Sequence, residues 1–141
     1  GTSVPRSNQK SGVGGDMMMW DIYYALIDDE LIAEKVGNRI KFYEYPEAKD
    51  IKETHIIIDP IAPPRPVINA DNERIVYEYF YQIDVWSKSM NERDEIMKRV
   101  SEILKRIGFG ENGGIDEYDA DFAIFRQAKR FIGQFEEFKE V

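Results

Sequence analysis

The side chains in this sequence that could carry chemistry are few. Cysteine is absent and there is one histidine, His55. Without cysteine there is no thiol nucleophile, no disulfide and no thiolate ligand for zinc. One imidazole cannot build a histidine-rich metal site, and a nucleophilic triad needs an activated nucleophile and an orienting acid beside it. His55 stands in the β-branched run 54–58, THIII, with no serine nearby, and reads as a strand histidine. The densest acidic set is Asp116, Glu117, Asp119 and Asp121. A calcium loop of the EF-hand type wants glycine at its sixth position and glutamate at its twelfth. Counted from Asp119 those positions hold Ile124 and Arg130, so the four carboxylates read as a solvated turn. Gly108, Gly110, Gly113 and Gly114 follow a helical stretch, whereas a phosphate-cradling loop runs strand, loop, helix. No catalytic, cofactor-binding or metal-ligating residue is assigned. The alternative from another function class, an acidic metal-dependent hydrolase, would need divalent-cation affinity at Asp116, Asp119 and Asp121.

What remains is binding chemistry. Arg126, Lys129 and Arg130 lie between Phe125 and Phe131, but the chain carries 19 basic against 27 acidic residues, a net charge of −8. Duplex DNA is held mainly by many phosphate-neutralising Lys and Arg, so this cluster fits an acidic protein surface or an intersubunit ion pair better. Aromatic residues make up 13% of the chain, and Tyr77, Tyr79, Phe80 and Tyr81 are concentrated in one segment. Tyr and Trp are enriched at protein interfaces. The expected self-assembly or partner surface is therefore Pro63, Arg65, Tyr77, Tyr79, Tyr81, Arg126 and Arg130.

The elements that must position these residues follow from period and punctuation. A length of 141 residues supports a single domain with its own core. Residues 1–16 are rich in Gly, Ser, Asn and Gln, with two valines as their only aliphatic residues, and read as a disordered leader or expression tag before a domain at 17–141. Leaving out Arg6, Lys10 and Asp16 gives 17 basic and 26 acidic residues, net −9. No apolar run approaches a membrane span of about 20 residues. Met19, Tyr23, Leu26 and Ile27 recur at helical spacing; Asp28 or Asp29 then caps a short helix ending at Gly37. Strands are expected at 39–45 and 54–58. Four prolines in the seven residues 60–66 predict a polyproline-like excursion that cannot enter a sheet interior.

The next strand, 74–86, is the strongest signal. It puts Ile75, Tyr77, Tyr79, Tyr81, Ile83 and Val85 on one face, with a mixed set opposite. At about 3.3 Å per residue it spans roughly 43 Å, so part of its hairpin should project beyond the body. Ser89 and Glu92 form a capping-box pattern for a helix whose stripe is Ile96, Val100, Ile103, Leu104 and Ile107. Glu95–Arg99 and Glu102–Arg106 are spaced to pair outside it. A turn at 111–114, one or two strands within 118–132 and a fraying tail complete the chain. The fold class is α+β: order α-α-β-β-β-α-β, with a mixed, mainly antiparallel sheet, a long hairpin and the capped amphipathic helix packed on it.

The run 55–109 resembles the small tail proteins of long-tailed, non-contractile bacteriophages, in particular the tail-terminator or tail-completion group that joins head to tail. The likeness is carried in order by the strand closing on Asp59–Pro60, the proline excursion, the aromatic strand ending QIDVWS at 82–87, and the helix ending at Gly108–Phe109. Flanking features extend it over 19–135; the acidic helix starts depart from the group's pattern. The resemblance implies a non-catalytic protein of the virion tail or neck, assembled in the bacterial cytoplasm. It implies a hexameric ring that caps the tail-tube protein, ends tube growth and presents a docking surface to the capsid or its head-completion connector, with no cofactor. DNA would be passing cargo, for which an acidic lumen offers no adhesion. A head-completion or connector protein is the nearest alternative.

Overall fold

Strict alternation along 74–87 drives the central strand. The computed structural model describes residues 15–67 and 74–138. Its elements are α1 (Gly15–Ile27), α2 (Glu30–Lys35), β1 (Ile40–Phe42), a 3-10 turn (Ala48–Asp50), β2 (His55–Val67), β3 (Arg74–Ser87), α3 (Met90–Arg106), β4 (Phe109–Asp119) and β5 (Ile124–Phe138). The expected leader reaches two residues into α1; residues 1–14 lie outside the described residues. The fold is α+β with the expected element order, its closing β being the hairpin β4–β5. One five-stranded sheet runs β1-β2-β3-β5-β4, parallel between β1 and β2 and antiparallel elsewhere.

Helices cover one face. Tyr79, Tyr81, Ile83 and Val85 of β3 join Ile56 and Ile58 of β2, Phe131 of β5, Ile22 and Leu26 of α1, and the α3 stripe Ile96, Met97, Val100, Ile103 and Leu104 in one core. The cap of α3 forms as its sequence dictates: Ser89 Oγ accepts from the Glu92 N–H at 3.1 Å. The reciprocal bond differs. Ser87 Oγ accepts from the Ser89 N–H at 3.1 Å, and the Glu92 carboxylate bonds the buried Thr54 hydroxyl. Arg99 also departs from its expected Glu95 partner. It donates to Asp29 Oδ1 at 2.8 Å, tying α3 to the cap of α2, and contacts Glu102 at 3.5 Å.

Three further expectations are corrected. The proline run is not an excursion; it is the distal half of β2, paired with β3 out to Val67↔Val76 through two register shifts. Because β1 pairs with β2 only at 56–58, this half is a sheet edge, where prolines cost no ladder donor on the open side. The turn expected at 111–114 is a bulge within β4, with Gly113 at φ +86°. A Cβ on Gly114 would stand 2.1 Å from the Ala128 carbonyl oxygen, so only glycine lets the two backbones approach there. The fraying tail is in fact β5 as far as Phe138. β1 is shorter than expected, three residues, and Tyr43 beyond it takes φ +63°.

The Asp29 cap carries a pH signature. Burial pushes its carboxyl up, but the Arg99 hydrogen bond and the Ile32 amide outweigh this and hold it below its ordinary 3.8. A depressed carboxylate contributes stability that is present above its unfolded pKa and lost as pH falls through the folded value. Asp29→Ala should cost about 1 kcal/mol at neutral pH through the lost cap. Asp29→Asn should keep most of the cap while flattening the loss of stability below pH 3.8, read from urea midpoints across an acid series.

Candidate functional site

The sheet face away from the helices is organised by a buried charge. Asp84 is 0% exposed although it lies on that face, in register with Ile57 and Ala128. An isolated buried carboxylate is costly, so its oxygens must be matched. Arg126 Nε donates to Oδ2 at 2.8 Å, Gln82 Nε2 to Oδ1 at 3.0 Å and Trp86 Nε1 to Oδ2 at 3.3 Å. All three donors come from alternate positions of β3 or from the neighbouring β5, so sheet register itself assembles the set. Arg126 also donates to Glu117 Oε2 at 3.3 Å across to β4. Its guanidinium lies 5.2 Å from the Trp86 ring centre and 5.8 Å from that of Tyr45.

The segment between β1 and β2 lies over this face. Tyr45 Oη donates to Asp59 Oδ2 at 2.9 Å. Burial, with the Asp84 and Asp59 carboxylates nearby, pushes the Tyr45 phenol far above its usual range, so it stays a donor. Beside Tyr45 a groove of about 370 Å³ is lined by Ala48, Trp86, Glu117, Tyr118, Asp119, Ile124 and Arg126. Its walls are aromatic and its rim is acidic. This arrangement suits docking of a cationic or apolar segment rather than bond-making.

The acidic run singled out from the sequence is divided among three tasks. Asp116 bonds the buried Arg93 of α3 at 2.6 Å, Glu117 faces the opposite side toward Arg126, and Asp119 Oδ1 accepts from the amides of Asp121 and Phe122. Among the described residues no three His, Asp or Glu side chains are grouped to hold a metal ion. His55 Nδ1 lies 2.8 Å from the Glu53 carbonyl oxygen.

The expected interface residues separate. Tyr79 and Tyr81 are 3% and 1% exposed inside this chain's own core, so they present no surface to a neighbour and leave the interface set. Tyr77 packs half-buried at the margin of that core. Arg126 is engaged internally by Asp84 and Glu117. Pro63, Arg65 and Arg130 are exposed; Arg65 pairs with Glu78 and stands 5.3 Å from the Phe80 ring centre, and Arg130 Nε is 3.5 Å from Gln82 Oε1. The sequence reading missed Asp84, Trp86 and Tyr45. A lone aspartate inside the most apolar strand was the available signal.

No family model matches this sequence, and no curated protein matches it. Among solved structures, the fold matches a chain of the "Virion of native gene transfer agent (GTA) particle" with a TM-score of 0.62 at 15% identity. The match covers 84% of this chain and 94% of that one. This chain shares its fold with a virion chain.

Two substitutions separate core from surface. Arg126→Ala leaves Asp84 buried without its cation and should cost about 3 kcal/mol, much of it recovered when Asp84→Asn is added. Tyr81→Ala should cost about 3–5 kcal/mol by opening a core cavity. Equilibrium urea unfolding reads both; a near-neutral Tyr81→Ala would restore the ring to the surface.

Proposed function

We propose that this chain is a non-catalytic virion assembly protein that caps a phage-type tail tube, ends its growth and offers a docking surface to the capsid side. The observation that carries the reading is the shared fold with a gene transfer agent virion chain over nearly the whole of both. The terminator assignment rests further on the sequence resemblance, which spans the proline run, the aromatic strand and the capped helix. In this reading the protein forms a ring, a hexamer in the particle, with the tube protein on one side and a head-completion connector on the other. Its surplus of acidic residues suits a lumen through which DNA slides without adhering. The exposed Pro63, Arg65 and Arg130, with Tyr77 at the core margin, belong to its contact surfaces; no residue is asked to make or break a bond.

Mixing the purified protein with tail tubes from the source particle tests this. Negative-stain microscopy should show cap density at one tube end and arrested elongation. Uncapped tubes, with binding to tailless DNA-filled heads instead, would place the protein on the capsid side of the neck.

A further inference from the structure

We infer that the proline arm of β2 in one copy docks into the Trp86–Tyr118 groove of the next copy, a head-to-tail contact that rests on the ring reading above. The arm is an edge that another strand cannot extend by regular pairing. Pro60, Pro63, Pro64 and Pro66 have no N–H to offer, so a partner must meet it through side chains. Extended proline segments lose little entropy on binding, and aromatic-lined grooves are the surfaces that take them. The groove supplies Trp86 and the Tyr118 ring, the latter 54% exposed.

Charge selects the same pairing. Around the groove Asp84, Glu117 and Asp119 face the single cation Arg126, leaving it net negative. Between Pro60 and Val67 the arm carries one charged residue, Arg65, whose side chain is 67% exposed. Its one salt bridge to Glu78 leaves a guanidinium with further donors for a carboxylate.

Register makes the contact intermolecular. Val67 pairs with Val76, ten residues along β3 from Trp86, so arm tip and groove are roughly 33 Å apart on one chain. Two different surfaces joined head to tail generate a ring when the rotation closes, rather than a symmetric dimer.

The chain has no cysteine, which makes cross-linking specific. Pro63→Cys and Tyr118→Cys proteins, mixed under mild oxidation, should give a disulfide-linked dimer that neither gives alone, and the double variant should give a ladder. Sedimentation of the unmodified chain separates the two readings. Oligomers without the mixed adduct overturn this contact and leave the ring standing; the adduct without tube capping leaves the contact standing and overturns the tail role. Like-with-like adducts overturn it. If the free chain is monomeric, a peptide of residues 60–67 decides. It should shift the Trp86 indole N–H resonance saturably, with a Kd below about 1 mM. The same peptide carrying Arg65→Ala should bind up to about 5-fold more weakly. No shift with the unmodified peptide overturns the inference.

Discussion

The sheet is longer than the layer of helix that covers it, and most of the architecture follows from that mismatch. β3, at 14 residues, extends about 46 Å, whereas the 17 residues of α3 give a helix of only about 26 Å. Where α3 lies over the sheet, Ile83, Val85 and Tyr81 are sealed into the core. Toward the far end of β3 the sheet narrows to β2, β3 and β5, because β1 pairs only at 56–58 and β4 begins opposite Gly133. No residue from Pro60 to Val67 is buried. A bare double-edged ribbon invites uncontrolled strand addition, and the prolines remove that hazard from one edge while leaving apolar surface on show. The transition is packed by aromatic rings: Phe109 and Phe135 approach within 5.1 Å, and the absent side chain of Gly133 leaves them the room.

On the opposite face, without helices, a polar lock takes over. Asp84 binds β3 to β5 through Arg126, and Arg126 binds β5 to β4 through Glu117, so one guanidinium bridges three strands. A one-residue slip of β5 would turn Arg126 to the helical face and strand Asp84, so the pair guards register as well as charge. The same guanidinium backs Trp86 and Tyr45 and so shapes the groove. Fold and candidate contact surface thus depend on the same buried carboxylate.

Much of this was legible in the residues. The Ser89 cap and the 3.6-residue stripe defined α3, and period-2 alternation defined β3, because both signals are local. The proline run was misread because proline argues against a sheet interior and says nothing about an edge whose neighbour is absent. β4 carries almost no alternation, and its Glu-Asn-Gly-Gly stretch is a strand only because β5 pairs with it. The burial of Tyr79 and Tyr81 depended on how far the helical layer reaches, and the pairing of Arg99 with Asp29 joins residues 70 positions apart. The Asp84 site was hidden for the same reason: its cation lies 42 residues away, and alternation marks a face without saying what covers it.

The central claim is that the uncovered ribbon is completed by another chain. Amide hydrogen exchange of the free protein, compared with the protein assembled on tube ends, tests it most directly. The account predicts fast exchange through 60–67 and 74–78 in the free chain and marked slowing on assembly, while amides beneath α3 at 83–86 are slow in both. An arm that exchanges equally fast before and after assembly would contradict the claim.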